Sequence, residues 1–361
     1  NPSYTMERIC ETLMLLRTKY RFNGYIHVKA IPGAPDELLS RAGYLADRVS
    51  INLELPTAQS LSKLAPNKSF KTILEPMEKI TGTIAANRLA LGKDARMERS
   101  SINRYLTGSI FNQNGTDNGQ AAVSGTQRTA LESGDKLSLP AVSKDMCVKR
   151  PFAPAGQSTQ MIIGATPETD LTLIRTTQHL YKNYDLKRVF YSAYIPLNED
   201  SALPQLDADV PLLREHRLYQ ADWLLRFYGF QADELLSESR PNFNEQLDPK
   251  CDWAIRHLGQ FPVEVQNASY DMLLRIPGIG PKSARRIVET RRYAKLDFDI
   301  LKKIGVVLKR AHYFITCNGR MMYRIPIEES YITSCLTDDN HKENWEITHQ
   351  NEKYHQLSLF E

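Results

Sequence analysis

Residues 273–288 read Leu273-Leu274-Arg275-Ile276-Pro277-Gly278-Ile279-Gly280-Pro281-Lys282-Ser283-Ala284-Arg285-Arg286-Ile287-Val288, and this stretch decides the fold of the region around it. Its apolar positions predict two short helices that are separated by the Pro-Gly-Ile-Gly turn. Gly278 and Gly280 permit a backbone too tight for any Cβ atom, and Ile279 between them can fill the gap between the helices. The sequence therefore predicts a hairpin whose free backbone amides lie at the start of a helix, where anions bind.

The glycine turn, the apolar residue inside it and the basic residues beside it together resemble the helix-hairpin-helix motif. This motif binds the phosphate backbone of DNA without reading its sequence. The resemblance implies that the DNA-binding residues are Gly278, Ile279, Gly280, Lys282, Ser283, Arg285 and Arg286. A helical hairpin that makes a protein contact is the alternative interpretation.

A second, degenerate copy of the hairpin follows the first. Residues 296–304 predict a helix that runs into an Ile-Gly-Val turn, and residues 308–312 predict a further basic helix. We expect the two hairpins to grip both strands of a duplex, so duplex DNA is the predicted partner. The predicted helix-hairpin-helix domain spans residues 245–328. Residues 329–361 are polar with little periodicity, which predicts a loose carboxyl-terminal tail.

Composition sets modest limits on function. The 361 residues leave room for two or three domains, and the formal net charge is only +4, so any nucleic-acid affinity must come from a local patch such as residues 275–310. No apolar run is long enough for a membrane span, and we expect no membrane contact. The absence of a signal peptide and the scattered cysteines predict a reducing cytoplasm and no metal site; these cysteines are Cys10, Cys147, Cys251, Cys317 and Cys335.

Residues 1–200 alternate between the apolar spacing of a helix and the apolar spacing of a strand. Helical patterns separate four predicted strands, over residues 24–30, 48–55, 159–164 and 188–193. Such a series of β/α units predicts the α/β class with a parallel sheet. Residues 92–148 contain too few apolar side chains for a core, so we predict a disordered insertion there with no chemistry of its own. Residues 201–244 predict a connecting helical segment.

The predicted strands and the turns after them resemble a radical SAM barrel. The resemblance rests on three stretches, Gly24-Tyr25-Ile26-His27-Val28-Lys29-Ala30-Ile31-Pro32-Gly33-Ala34, Ser50-Ile51-Asn52-Leu53-Glu54-Leu55-Pro56-Thr57 and Ala155-Gly156-Gln157-Ser158-Thr159-Gln160-Met161-Ile162-Ile163-Gly164-Ala165-Thr166-Pro167-Glu168. Joined to the hairpins, they resemble the DNA modification/repair radical SAM proteins over nearly the whole chain apart from the insertion and the tail. The resemblance implies a partial (β/α) barrel of radical SAM type followed by a small α-helical tandem helix-hairpin-helix domain.

The same resemblance implies two cofactors, S-adenosylmethionine and a [4Fe-4S] cluster. In this superfamily three cysteines of a C-x-x-x-C-x-x-C loop hold the cluster, which cleaves S-adenosylmethionine to a 5′-deoxyadenosyl radical. The implied cofactor-binding residues lie at or just after the strand ends and are Lys29, Asn52, Glu54, Gly164 and Glu168. A solvated sheet end is the alternative for Asn52 and Glu54, and a surface lysine is the alternative for Lys29.

The sequence departs from this family in its cysteines. It contains no C-x-x-x-C-x-x-C, so we expect the cluster ligands to lie upstream of Asn1 and the chain to be inactive without them. A smaller departure concerns the fifth-strand pattern of the superfamily, G-x-I-x-G-x-x-E. Here the stretch from Gln160 retains Ile162 and Gly164, but Glu168 stands one position late.

Two other classes of function fit the basic hairpin. A DNA glycosylase/lyase of the endonuclease III type would use Lys282 as its nucleophile and Asp299 as its helper, although those enzymes are all-helical. A non-catalytic DNA-binding adaptor would use residues 1–200 only to recruit partners, such as a DNA-repair protein.

Overall fold

The computed structural model of the protein describes residues 1–97, 106, 138–140, 150–197, 199 and 201–337. The chain divides into two compact units, Asn1–Phe243 (unit 1) and Asn244–Glu361 (unit 2). Unit 1 combines a small parallel sheet with helices, and the α/β class predicted from the sequence is confirmed at this level. No helix in the described ranges is long and apolar enough to cross a membrane.

Unit 1 contains a four-stranded sheet in which neighbours in the sequence are neighbours in space. Its strands are all parallel and lie in the order β1 (His27–Lys29), β2 (Arg48–Ser50), β3 (Gln157–Ile163) and β4 (Arg188–Ala193). Parallel neighbours need crossover connections, which here contain helices. Helix α1 (Pro2–Thr18) precedes the sheet, and the crossovers contain α2 (Asp36–Leu45), α3 (Ala58–Leu64), α4 (Phe70–Ala90) and α5 (Asp170–Tyr184).

Local signals in the sequence explain where these helices begin. The Asn1 side chain accepts a hydrogen bond from the Ser3 amide at the start of α1, and Thr169 caps α5 in the same way. The sheet buries its apolar side chains in the core of unit 1, and these include Val28, Val49, Ile51, Met161, Ile163 and Val189.

Helix α6 (Leu212–Phe227) covers the outer edge of β4. The Tyr219 hydroxyl donates to the Tyr191 carbonyl (2.7 Å) and accepts from the Tyr191 amide (3.0 Å), while Glu215 Oε2 accepts from the Ala193 amide (2.6 Å). These side chains satisfy backbone groups that an edge strand would expose. Together with α7 (Ala232–Leu235), α6 therefore belongs to unit 1, although the sequence predicted only a connecting segment over 201–244.

Most of the insertion predicted over residues 92–148 lies outside the described residues. Its described residues include Met97, Leu106 and Leu139, whose side chains are buried. The Leu139 amide donates to the hydroxyl of Thr83 in α4 at 2.8 Å. These residues contribute to the core of unit 1, which the polar composition of the region did not indicate.

Unit 2 is mostly helical. Its helices are α8 (Pro249–Arg256), α9 (Tyr270–Arg275), α10 (Pro281–Thr290), α11 (Phe298–Ile304), α12 (Leu308–Ala311) and α13 (Glu329–Thr337). Two short parallel strands, β5 (Val263–Glu264) and β6 (Ile315–Thr316), join the residues before α9 to those after α12. Helix α13, with Ile332 fully buried, lies where the sequence predicted the start of a loose tail, and the tail from residue 338 onward lies outside the described residues.

Candidate nucleic-acid interface

The first predicted hairpin consists of α9, a turn over residues 276–280 and α10. Gly278 has a φ of +82°, the left-handed region that favours glycine, and a Cβ atom there would lie 2.5 Å from the Val307 carbonyl oxygen. Ile279, which the sequence predicts to fill the gap between the helices, is 1% exposed. Gly280 has an extended backbone and is the N-cap of α10. Of the two glycines, Gly278 is the one whose backbone conformation excludes other residues.

The amino end of α10 is open. Among the described residues, no side chain caps it, and Pro281 occupies the first turn, where its missing N–H group would have no helical partner in any case. The amides of Lys282 and Ser283 are too close to the helix start to bond to carbonyls of their own helix. With the helix dipole, they provide hydrogen-bond donors for an anion, and the exposed Lys282 side chain adds a positive charge beside them.

A second hairpin packs against the first. It consists of α11, a turn over residues 305–307 and α12. Gly305 ends α11 with a φ of +98°, and Val306 is buried in the turn. The Val307 amide donates to the Gly278 carbonyl at 2.9 Å, so a hydrogen bond joins the turns of the two hairpins. The degenerate copy predicted from the sequence is present as a helical hairpin.

Two side chains predicted to bind DNA donate hydrogen bonds to the second hairpin. Ser283 Oγ donates to the Gly305 carbonyl at 2.9 Å, and Arg286 Nη1 donates to the Ile304 carbonyl at 3.0 Å. Both acceptors belong to the carboxyl end of α11, where helix carbonyls have no helical partner. Ser283 is buried, whereas Arg286 is exposed. These two residues therefore hold the hairpins together, a role that the sequence pattern did not predict.

Basic side chains surround the hairpins, and several of them already have acidic or carbonyl partners. Arg285 Nε lies 3.5 Å from Glu289 Oε1, and Arg291 Nη1 donates to the Ala268 carbonyl at 2.6 Å. The basic patch also contains exposed lysine and arginine residues that carry its charge into solvent, and these are Lys282, Arg292, Lys295, Lys302, Lys303 and Lys309.

One residue that contacts the first hairpin from outside it was missed by the sequence analysis. Lys250 lies in α8 and is 8% exposed, and its Nζ donates to the carbonyl oxygen of Ile279 at 2.6 Å. Burial lowers the pKa of Lys250 to about 7, although the nearby Asp248 carboxylate acts in the opposite direction. The contact spans 29 positions of the chain, and no periodicity or motif around Lys250 indicates it.

In unit 1, the structure brings together two of the predicted cofactor-binding residues. Lys29 Nζ lies 3.5 Å from Glu54 Oε1, and Lys68 Nζ lies 3.2 Å from the same oxygen. Glu54 has a φ of +68°, an uncommon conformation for a residue other than glycine. Lys29 is the last residue of β1 and Glu54 follows β2, so this group of ion pairs lies at the carboxyl ends of the two strands. Lys68 is a member that the sequence analysis did not identify.

The other three predicted cofactor-binding residues have different surroundings. Asn52 is buried and donates to Gln160 Oε1 at 3.4 Å. A Cβ atom on Gly164, whose φ is +85°, would lie 2.7 Å from Pro211 Cγ, so the space beside this backbone is filled by protein.

Glu168 accepts a hydrogen bond from the Thr57 hydroxyl at 2.7 Å, next to the start of α3. Burial alone would raise the pKa of Glu168, but hydrogen bonds from Ser60, Thr166 and Thr57 outweigh burial and lower it. This carboxylate therefore accepts hydrogen bonds from hydroxyl groups near the start of α3 rather than joining the ion pairs of Glu54.

The described cysteines do not fit an iron–sulfur cluster. Cys10 lies in unit 1, whereas Cys251, Cys317 and Cys335 lie in unit 2, and the first three are buried. Burial raises the pKa of the Cys10 thiol to about 11, which disfavours the thiolate that a metal requires. Within the described ranges, no group of three or more His, Cys, Asp or Glu side chains could hold a metal ion.

Comparison with known proteins agrees with the geometry of unit 2. The family described as "Helix-hairpin-helix motif" matches residues 263–290, which include α9, the glycine turn and α10. No curated protein and no solved structure matches the chain. The match covers only a small part of the sequence, and it suggests nucleic-acid binding for that part.

Proposed function

We propose that residues 263–312 bind the phosphate backbone of duplex DNA without reading its sequence. The observation that carries this proposal is the open amino end of α10 directly after the glycine turn. Backbone amides of this kind recognise a phosphate by its charge and shape, which are the same at every base pair. The motif match over residues 263–290 supports the same conclusion.

The second hairpin supports a duplex as the ligand. Its turn bonds to the first turn through Val307 and Gly278, so the two hairpins form one body with two helix starts. The α12 start likewise has no side-chain cap within the described residues, and Lys309 and Arg310 follow it. The uncapped start of α10 and the basic second hairpin therefore lie on one body, which fits a duplex better than a single strand.

The proposal is tested by fluorescence anisotropy with two labelled duplexes of unrelated sequence. Binding should be weak, equal for both duplexes and steeply dependent on salt, because cations are released from each phosphate that the protein contacts. The logarithm of the affinity should fall with a slope of about −0.9 per phosphate contact against the logarithm of the salt concentration. Affinity that does not change with salt, or a strong preference for one duplex, would contradict this proposal.

We also propose that unit 1 is part of a (β/α) barrel of radical SAM type that acts in DNA modification or repair. The sequential order of four parallel strands supports a barrel, because closed α/β barrels place their strands in chain order. The ion pairs of Lys29, Glu54 and Lys68 at the carboxyl ends of β1 and β2 are a further support, since barrel sites lie at that end. In this proposal Asn52 and Glu54 bind S-adenosylmethionine.

Calorimetry tests this second proposal directly. S-adenosylmethionine titrated into the protein should release heat, and the affinity should fall in a Glu54→Gln variant because the amide removes the acceptor charge. No heat with the unmodified protein would contradict the proposed cofactor site.

The described cysteines do not fit the [4Fe-4S] cluster that this family uses, and we derive no catalytic step through it. Treatment of the protein with iron and sulfide should therefore leave it without the broad brown absorption of such a cluster. A stoichiometric four-iron cluster on this chain would contradict that expectation.

A further inference from the structure

We propose that Lys250 is a positioning residue of the DNA site, because its buried ammonium group holds the Ile279 carbonyl and thereby directs the Gly280 amide toward a bound phosphate. The inference rests on the proposed DNA-binding function of unit 2 and adds a residue to it. Lys250 itself is buried, so its proposed role is to position the peptide group rather than to contact the phosphate.

The geometry of one peptide group carries this inference. The Ile279 carbonyl and the Gly280 amide belong to the same planar unit, and in a trans peptide they point in opposite directions. Lys250 Nζ fixes the carbonyl side through a hydrogen bond of 2.6 Å, and bonds from charged donors are shorter and stronger than neutral ones. The amide of Gly280 must then point away from Lys250, at the N-cap of α10.

A hydrogen bond to the carbonyl also polarises the amide on the other side of the same peptide group. Donation by a charged group strengthens this cooperative effect, and low local polarity strengthens it further. Lys250 is 8% exposed, so little water competes for the bond. The Gly280 amide should therefore be a better donor to phosphate than an ordinary exposed amide.

The groups around Lys250 shift its pKa in opposite directions. From its own helix, Lys250 faces the Asp248 carboxylate and the Cys251 thiol, from α9 it faces Arg275, and from α12 it faces Arg310. Asp248 is the one carboxylate among these groups, and it already pairs with Arg310 at 2.7 Å and caps α8. Among these groups the two arginines lower the pKa of Lys250 and the Asp248 carboxylate raises it.

The ammonium form of Lys250 should be required for full DNA affinity. Burial places the pKa of Lys250 at about 7, so the group loses its charge within the range in which the protein can be studied. Because coupling is reciprocal, bound phosphate should favour the charged form of the lysine, and loss of that charge should weaken phosphate binding.

The test measures duplex affinity by anisotropy from pH 6 to pH 8.5 at constant ionic strength, for the unmodified protein, Lys250→Met and Lys282→Met. The unmodified protein should bind about tenfold more weakly at pH 8.5 than at pH 6, as expected for the loss of one partly screened charge near the phosphate. Lys250→Met should have the weak affinity at every pH. Lys282→Met, which removes an exposed lysine, should lower affinity by the same factor at every pH.

A second measurement without DNA separates the two proposals. In ¹H–¹⁵N spectra of the free protein, the Gly280 amide shift should titrate with a midpoint near the pKa of Lys250, about 7, and this titration should be absent in a folded Lys250→Met variant. If the unmodified protein binds no DNA at any pH while Gly280 titrates, the proposed function fails and the Lys250 contact stands. If DNA binds with the same pH dependence in both proteins, or if Gly280 does not titrate, the role of Lys250 is overturned.

Discussion

The amide of Val307 donates to the carbonyl of Gly278 at 2.9 Å, so the turn of the second hairpin is bonded to the turn of the first. A second bond has its donor in the first hairpin, since the Ser283 hydroxyl donates to the Gly305 carbonyl of the second hairpin. Reciprocal bonds of this kind fix the spacing of the two helix starts. The tandem hairpins are therefore one structural body rather than two independent motifs.

Gly278→Ala should destabilise unit 2. A Cβ atom there would lie 2.5 Å from the Val307 oxygen, and the left-handed φ of +82° adds strain. We expect a loss of about 2–4 kcal/mol in the free energy of unfolding, measured by urea denaturation. The matched control is Gly259→Ala, since a Cβ atom at Gly259 meets nothing within 4 Å. Equal stability of the two variants would show that the close approach at Gly278 is not required.

Gly280→Glu should leave the fold intact and remove DNA binding. The extended backbone of Gly280 accepts any residue, so the substitution adds a carboxylate at the open helix start without backbone strain. Repulsion between that carboxylate and a phosphate should weaken duplex affinity at least about tenfold at low salt. Gly259→Glu adds the same charge at an open position of unit 2 and should bind normally. Unchanged affinity of Gly280→Glu in an anisotropy assay would exclude this helix start as the site.

The hairpins could be predicted from sequence because their determinants are local. The Pro-Gly-Ile-Gly turn requires a glycine at 278, and Ile279 is buried as the pattern of apolar positions indicates. The Asn318-Gly319 pair is a similar case. Both residues have positive φ in a tight turn closed by Cys317 and Arg320, as such dipeptides favour.

The features that could not be predicted from sequence depend on contacts between residues far apart in the chain. Lys250 and Ile279 are 29 positions apart, and the Tyr219 bonds to β4 join residues 28 positions apart. The local periodicity of the sequence does not predict such contacts. Ser283 could not be assigned from sequence for a different reason. A serine among basic residues is typical of a phosphate site, and only the packing against α11 shows that its hydroxyl donates to the Gly305 carbonyl.

Lys250 should also make the stability of unit 2 depend on pH. The unfolded lysine keeps its proton up to a pKa of about 10.5, whereas the folded one loses it near 7, so the unfolded state binds more protons between these values. Stability should therefore rise with pH above 7, by about 2 kcal/mol between pH 7 and pH 9. Above pH 9 the buried Cys317, whose pKa is raised to about 12, acts in the opposite direction because its thiol ionises only after unfolding.

Urea denaturation at several pH values checks this dependence. The rise between pH 7 and pH 9 should be present in the unmodified protein and absent in Lys250→Met, in which no buried ammonium group remains. A rise of equal size in both proteins would assign it to other groups.

The last prediction separates a phosphate-binding hairpin from a glycosylase/lyase. If Lys282 were a Schiff-base nucleophile, borohydride would trap it covalently on DNA that contains an abasic site. Lys282 is exposed at the start of α10, whereas the lysine that burial keeps partly neutral near pH 7 is Lys250, whose Nζ is engaged by the Ile279 carbonyl behind the turn. We therefore expect no lysine adduct on the unmodified protein, with a known lyase as the positive control. Lys282→Ala should weaken duplex binding by about twofold to fivefold, because salt screens a single exposed charge. A trapped complex that disappears in Lys282→Ala but persists in Lys250→Met would identify Lys282 as a nucleophile and replace phosphate binding as its main role.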